Sequence, residues 1–171
     1  MAAVLQISTL FFLVILAVFA HADQEPAMAV QGIVYCQRCS AVGTSSLLNA
    51  RPLLSAKVAI TCRDYKNRVR VYLVAPVDFT GYFYTQLDGN DMTSDGIGNP
   101  EESCKVQLVS SGDMTCNRLT NVNKGITGTD IKFEKTLEKG TSFEINLYTA
   151  SSLAFSPSHC IPGIPHQFSF F

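Results

Sequence analysis

The sequence predicts an all-β domain, an antiparallel β-barrel or sandwich of about seven strands that is stapled by three disulfides. Three observations predict this fold class: short stretches in which apolar and polar residues alternate, turn-forming residues between those stretches, and six cysteines in a chain of 171 residues. Alternation with a period of two is typical of strands that bury one face. No long amphipathic helix competes with this pattern.

The strand pattern is clearest in two stretches that each contain a cysteine. Val58, Ile60 and Cys62 share one face of a predicted strand, and Cys104 falls on the apolar face of another. The segment from residue 40 to residue 51 is predicted to be a loop or briefly helical, because of its residues Ser45 to Asn49. The other predicted strands are Val30 to Tyr35, Arg68 to Val74, Tyr82 to Leu87, Ile131 to Phe133 and Phe143 to Tyr148.

The first 22 residues are predicted to be a signal peptide. Their apolar run, Leu10 to Ala20, is too short to span a bilayer comfortably, and the small-x-small triplet Ala20-His21-Ala22 follows it. A signal anchor is the alternative, because no Lys or Arg precedes the apolar run. We therefore expect secretion and four segments: signal peptide 1–22, a short linker 23–29, one β domain 30–160 and a C-terminal tail 161–171.

All six cysteines follow the predicted signal peptide, and an even number in an oxidising compartment indicates three disulfides. A zinc site or a redox pair at Cys36 and Cys39 is the alternative, but no second close ligand pair and no βαβ pattern supports either. Spacing alone leaves fifteen pairings open. The pairing of Cys62 with Cys104 is favoured, because both lie on apolar strand faces and could meet between two β layers.

Composition argues against several function classes. The 13 Lys and Arg residues nearly balance the 14 Asp and Glu residues, so no global charge indicates a nucleic acid or an anionic membrane as a partner. The acidic stretch Asp88 to Asp95 lacks the glycine and alternating ligands of an EF-hand loop, so no metal and no cofactor is predicted. His159 and His166 lie outside any catalytic motif, and we expect a protein that is not an enzyme.

The strongest candidate for ligand binding is a cationic and aromatic surface. In a strand from Arg68 onward, Arg68, Arg70 and Tyr72 would share the outer face, and Tyr82 and Tyr84 would face outward on the next strand. A guanidinium group pairs well with a carboxylate, and an aromatic ring can stack on a sugar. The alternative is an ordinary solvated strand face. The predicted glycan-binding residues are Lys66, Arg68, Arg70, Tyr72, Tyr82 and Tyr84.

Five motifs occur in the same order as in a known family. They are Gln31 to Cys39, Pro52 to Val58 with Cys62, Thr80 to Phe83, Cys104 to Cys116, and Leu153 to Cys160. The first resembles the G-x-V-Y-C-x-x-C opening of pollen Ole e 1 and extensin-like proteins, and together the motifs most resemble the cysteine-containing domain of non-classical arabinogalactan proteins. The chain differs from the longer members of this family in lacking a Pro- and His-rich region.

The resemblance implies a compact β-barrel or sandwich and the disulfides Cys36–Cys116, Cys39–Cys160 and Cys62–Cys104. It also implies a non-catalytic protein of the extracellular space or cell wall that binds or organises wall polysaccharide of the pectin or arabinogalactan type. The alternative function is an extracellular protein-binding module, with either a signalling partner or a protease as its target.

Overall fold

The computed structural model describes residues 27–87, 97–138 and 144–160. Short helices occupy Cys39–Ala41 and Val122–Lys124, both 3-10 helices, and Pro100–Ser103, which we call α1. The strands are β1 (Ala27–Cys36), β2 (Arg51–Pro52), β3 (Ala56–Arg63), β4 (Val69–Pro76), β5 (Tyr82–Leu87), β6 (Cys104–Ser111), β7 (Arg118–Leu119), β8 (Thr129–Glu138), β9 (Glu144–Ala150) and β10 (Leu153–Ser156).

The strands form one sheet, in which β4, β3, β6, β8, β9 and β1 are neighbours in that order. The first half of β1 lies between β9 and β5, and its second half lies between β10 and β2. Strand β7 adds to the outer edge of β10. Within the described residues, β4 and β5 follow each other along the chain but share no ladder, so the sheet is not closed.

The predicted all-β fold is confirmed, and each of the seven predicted strands corresponds to an observed one. Three short strands, β2, β7 and β10, are additional within the described ranges. The antiparallel prediction needs one correction, because β1 pairs in parallel with both β9 and β10. Alternation of apolar residues shows which face of a strand is buried but carries no information on the direction of its neighbours.

The start of the β domain also differs from the sequence-based boundary. Strand β1 begins at Ala27, inside the segment 23–29 that we expected to be a linker. Ala27 and Ala29 are buried on the outer side of β1 against Ile145 and Leu147 of β9. Alanine is a weak marker of strand alternation, which is why the pattern of this segment was not recognised.

The main core lies on the inner face of the sheet and includes the disulfides Cys36–Cys116 and Cys62–Cys104. The third disulfide, Cys39–Cys160, completes the set that the resemblance implied. One expectation about geometry was wrong: Cys62 and Cys104 do not meet across two layers. They are direct partners on the neighbouring strands β3 and β6, both on the core side of the same sheet.

Two of the sequence motifs meet in the register of β1 and β5, where Gly32 lies opposite Phe83. The Phe83 ring is buried and lies directly across Gly32, so that a Cβ atom at this glycine would come within 2.6 Å of the ring. Gly81, in the motif Thr80 to Phe83, has φ of +79° in the turn before β5. Both glycines therefore serve the packing of β5 on β1.

The predicted loop from residue 40 to residue 51 contains the end of the first 3-10 helix and several turns. Its shape is held by the buried Gln37, whose amide nitrogen donates to the carbonyl oxygens of Ala41, Thr44 and Ser46. The predicted signal peptide, the C-terminal tail and the acidic stretch Asp88 to Asp95 lie outside the described residues. None of the described helices has the length and apolarity needed to cross a bilayer.

Candidate functional site

The turn between β3 and β4 is built around the carboxylate of Asp64. The backbone nitrogen of Asn67 donates to the carbonyl oxygen of Asp64, and Asn67 takes the left-handed conformation with φ of 61°. Asparagine tolerates this conformation better than most residues. The Asp64 side chain accepts from the backbone nitrogens of Lys66 and Arg68, each at 2.9 Å. The short hairpin is therefore closed by side-chain hydrogen bonds as well as by the strand ladder.

The same carboxylate fixes two arginine side chains. Asp64 Oδ2 lies 2.7 Å from Arg68 Nη2 and 3.0 Å from Arg70 Nε, and the Asp64 side chain is completely buried. Burial by itself raises the pKa of this carboxyl, but hydrogen bonds from Arg68, Arg70 and the Lys66 backbone outweigh it and hold the pKa well below its usual range. Asp64 therefore stays charged and holds both guanidinium groups at the surface of the hairpin.

Around this ion cluster, the hairpin exposes aromatic and cationic side chains. Tyr72 follows Arg70 on the outer face of β4 and is 62% exposed, as the alternation of the sequence predicts. Tyr65 is 80% exposed at the turn, and the Lys66 ammonium lies 5.4 Å from the centre of its ring. The structure thus brings together four of the predicted residues, Lys66, Arg68, Arg70 and Tyr72.

A groove of about 690 Å³ opens beside this hairpin on the outer side of the sheet. Its floor includes Thr61 on β3 and Lys105 on β6, which are direct partners in the ladder. Thr61 is also the ladder partner of Tyr72 on β4, so the groove and the predicted aromatic residue lie side by side. The walls come from the β3–β4 turn, from α1 with the residues before it, and from Thr127.

Helix α1 is fixed by residues at its N-terminal end. The side chain of Asn99 caps it by accepting from the backbone nitrogen of Glu101, and Pro100 occupies its first turn. The Glu101 carboxylate accepts from the backbone nitrogen of Phe133 at 2.7 Å, which ties the helix to β8. The groove wall that α1 forms is therefore held in place by the sheet.

The two remaining predicted residues, Tyr82 and Tyr84, lie elsewhere. Both are on β5, which pairs with β1, whereas β4 is an end strand of the sheet and pairs with β3. The Tyr82 hydroxyl donates to Gln31 at 2.5 Å, and Gln31 donates to Glu134 at 2.6 Å. Burial, followed by the charges of its neighbours, raises the pKa of Tyr82. Tyr82 is therefore part of a hydrogen-bonded network on another face, with only Tyr84 at its side well exposed.

Sequence reasoning missed Asp64, Tyr65 and the groove. The signal for Asp64 is present, because an aspartate followed three residues later by asparagine between two strands is typical turn chemistry. The groove has no such signal, since its walls come from three separate parts of the chain. Within the described ranges, no group of three or more His, Cys, Asp or Glu side chains is arranged to hold a metal ion.

Comparison with known proteins places the chain among plant proteins. No protein-family profile matches it. It is 28% identical over 137 residues to non-classical arabinogalactan protein 30 of Arabidopsis thaliana, a match that covers 77% of this chain and 53% of the relative. It is 36% identical over 99 residues to a pistil-specific extensin-like protein of Nicotiana tabacum, which covers 58% of this chain and 21% of the relative.

The chain is a homologue of plant arabinogalactan, extensin-like and pollen-allergen proteins. Among the last group, pollen allergen Phl p 11 of Phleum pratense is 28% identical over 57% of this chain and 62% of the allergen. The crystal structure of the major plantain pollen allergen Pla l 1 has the same fold, with a TM-score of 0.56 and 22% identity over 81% of this chain and 99% of the allergen.

These findings confirm the resemblance that the motifs predicted. None of these relatives has a name that denotes an enzyme, which is consistent with a non-catalytic protein related to cell-wall-type proteins. The matched part of this chain spans about half of the length of the arabinogalactan relative (53%) and about a fifth of the length of the extensin-like one (21%).

Proposed function

We propose that this is a secreted, non-catalytic protein of the plant cell wall or extracellular space that binds wall polysaccharide. The names of its relatives, which include arabinogalactan and extensin-like proteins, support the compartment and the class of function. The observation that carries the binding proposal is the cluster in which the buried Asp64 holds Arg68 and Arg70 at the surface beside the exposed Tyr72. Such a surface suits an acidic polysaccharide of the pectin type.

The charge of this hairpin supports an acidic ligand. Lys66, Arg68 and Arg70 contribute three positive charges, and Asp64 contributes one negative charge. Because the Asp64 carboxylate is completely buried beneath the arginines, a ligand approaching from solvent meets the guanidinium groups first. Guanidinium groups that are already held in place lose less conformational freedom when they pair with a ligand carboxylate.

Two exposed residues provide the test. Changing Lys66 or Tyr72 to alanine is expected to weaken retention of the disulfide-intact protein on immobilised pectin by about two- to five-fold each. Retention of the wild type should fall as NaCl rises from 20 to 300 mM, because salt screens pairs between exposed charges. The arginines are unsuitable for this test, since each of them also holds the buried Asp64.

The matched control is Lys135→Ala. Lys135 is an exposed lysine of β8, and its loss changes the net charge by the same amount as the loss of Lys66. We expect this variant to bind pectin as the wild type does. Equal weakening by both lysine variants would mean that only total charge matters, and absence of retention on every wall glycan tested would contradict the proposal.

A second candidate function is binding of a protein partner, and the exposed turn before β5 favours it. Phe79 at the tip of this turn is 84% exposed. The turn is rigid, because Asp78 Oδ1 accepts from the backbone nitrogens of Thr80 and Tyr82 at 2.7 and 3.0 Å, and Gly81 N donates to Asp78 O. A large, exposed apolar side chain on a turn with a fixed backbone is typical of a protein contact.

A second exposed side chain lies at the same end of the domain. Met114 is 85% exposed, and the adjacent Asp113 forms an ion pair of 2.6 Å with Arg51 of β2. Pro52, the other residue of β2, packs close to Gly81 in the Phe79 turn. The two apolar tips therefore flank β2, and together they would offer a partner more apolar surface than either alone.

Changing Phe79 to serine is expected to reduce capture of an extracellular plant protein by at least about five-fold, the loss typical of a central interface residue. Capture on the immobilised domain, followed by mass spectrometry, measures this effect. Tyr65→Ser is the control, because Tyr65 is exposed to a similar degree on a different turn. A partner that is captured equally by both variants, or no partner at all, would exclude this role for the Phe79 turn.

A further inference from the structure

The groove beside the β3–β4 turn differs in charge from the cationic hairpin next to it. Four of its lining residues carry formal charges: Arg63 and Lys105 are positive, and Asp64 and Glu102 are negative. The lining is therefore neutral overall. Two of these charges are paired with residues outside the lining, Lys105 with Asp130 and the buried Asp64 with Arg68 and Arg70. The other two, Arg63 and Glu102, balance each other. The groove thus offers no excess of positive charge that would favour an acidic ligand over a neutral one.

The polar groups of the groove are those that bind hydroxyl groups. Side chains of Asn67, Asn99 and Thr127 line it. The Asn99 side-chain oxygen already accepts from Glu101 N, and the Thr127 hydroxyl already donates to Asn121, so Asn99 offers its amide donors and Thr127 offers its oxygen as an acceptor. The amide of Gln107 donates to the carbonyl oxygen of Ile126, which fixes the floor of the groove beside Thr127. A ligand rich in hydroxyl groups can both donate to and accept from such a lining.

An aromatic ring lies at the edge of these polar groups. Tyr65 lines the groove and is 80% exposed, so its ring is available for stacking. A volume of about 690 Å³ is in the range of pockets that hold small ligands. A concave polar surface with one exposed ring provides both hydrogen bonds and an apolar contact, which suits the polar rim and the apolar C–H faces of a sugar ring.

We infer that this groove binds an uncharged, hydroxyl-rich glycan segment, while the adjacent cationic hairpin binds carboxylates. The inference rests on the proposed polysaccharide-binding function and adds a second subsite of different chemistry to it. One chain that contains both acidic and neutral sugars would contact both subsites at once, since the groove and the hairpin share Asp64 and the turn around it.

The test uses NMR titration of the disulfide-intact domain with neutral oligosaccharides, namely galactan, arabinan and xylan fragments, and separately with an oligogalacturonide. We expect a neutral oligosaccharide to shift the amide signals of Thr61, Asn99 and Thr127, with an affinity that changes less than about two-fold between 20 and 300 mM NaCl. Changing Tyr65 to alanine should weaken this binding by about five-fold or more.

A second variant blocks the groove without removing a contact. A Cβ atom built on Gly98 meets no atom of the described residues within 4 Å, so Gly98→Phe adds bulk to the groove without a clash against this part of the chain. This variant should abolish binding of the neutral oligosaccharide and leave pectin retention within about two-fold of the wild type. Tyr72→Ala is the matched control, because Tyr72 does not line the groove: it should weaken pectin retention and leave binding of the neutral oligosaccharide unchanged.

The titration distinguishes the proposal for the groove from the proposal for the cationic hairpin. Shifts caused only by the oligogalacturonide would overturn the inference about the groove and leave the cationic hairpin supported. Shifts caused by neutral oligosaccharides outside the groove, or unaffected by Gly98→Phe, would also overturn it. Binding of neutral oligosaccharides alone would support the groove and contradict the proposed role of Lys66 and Tyr72.

Discussion

Replacing Cys36 and Cys116 together by alanine is expected to lower the free energy of unfolding by about 5–6 kcal/mol, of which about 4.5 kcal/mol comes from loop closure and the rest from burial. These cysteines are 80 residues apart, and their cross-link ties β1 to a turn segment that has no strand pairing of its own. Both side chains are buried, with exposures of 4% and 0%. The expected loss is a large part of the roughly 5–15 kcal/mol that stabilises a typical domain.

A comparison with the disulfide Cys39–Cys160 separates the contribution of loop closure from that of burial. That disulfide closes a longer loop, of 121 residues, but loop entropy favours it by only about 0.4 kcal/mol over a separation of 80. Cys160 is exposed and Cys39 is partly exposed, so removing them leaves no cavity in the core. The two buried sulfur atoms of Cys36 and Cys116 contribute about 1–2 kcal/mol more through burial.

Guanidinium chloride unfolding of the two double-alanine variants, each with its other disulfides intact, measures this difference. We expect Cys36→Ala/Cys116→Ala to unfold at the lower denaturant concentration. If Cys39→Ala/Cys160→Ala proves equally or more destabilising, loop closure and not burial determines how much these disulfides stabilise the domain.

Much of the fold is readable from the sequence because one strand face is buried and the other is not. Val58, Ile60 and Cys62 are all buried on β3, as their alternation predicts, although Ala59 and Thr61 on the other face are buried as well. Motifs that are far apart in the chain also proved to be structural partners, since Gly32 lies opposite Phe83. Such pairings follow from sterics, because the ring occupies the space that a side chain at residue 32 would need.

The parts that were not predictable depend on how strands meet. The parallel pairing of β1 with β9 and β10 leaves no mark on the alternation within any of these strands. The same limit applies to Tyr82 and Tyr84. The sequence correctly predicts that they share a strand, but the pattern does not show that this strand, β5, shares no ladder with the β4 strand of Tyr72 in the described residues. Their outward direction is a local property, whereas their neighbours are set by topology.

The candidate site contains one feature that the sequence predicts and one that it does not. Arg70 and Tyr72 lie on one outer face because residues two apart in a strand share a face. Charge alone does not show that Asp64 anchors Arg68 and Arg70, because a solvated arginine and an anchored arginine have the same sequence pattern. The anchoring changes how the site must be tested, since removing an arginine would also leave a buried carboxylate without a partner.

Asp64→Ala is expected to be the most destabilising single substitution in the β3–β4 hairpin, lowering the melting temperature by about 10 °C. The substitution removes the acceptor of two backbone nitrogens and of both arginines at once. Asp130→Ala is the matched control. The pKa of Asp130 is also lowered, to about 2, by hydrogen bonds from Lys105 and Lys124, but its side chain is 43% exposed. Solvent screens such a pair, so we expect a decrease of only a few degrees, roughly 2–4 °C.

The pH dependence of the melting temperature distinguishes the charge of Asp64 from its packing. A carboxyl whose pKa is lower in the folded state than in the unfolded state contributes stability above the unfolded value, about 3.9, and this contribution is lost as the pH falls towards the folded value. The wild type should therefore lose stability below about pH 4, and this acid-dependent loss should be smaller in Asp64→Ala because one contributing carboxyl is absent. Thermal melts recorded by circular dichroism between pH 7 and pH 2 measure both effects. If the melting temperatures of the wild type and of Asp64→Ala fell equally with pH over this whole range, the ion cluster would contribute through packing alone. Its charge would then have no part in holding Arg68 and Arg70 in place.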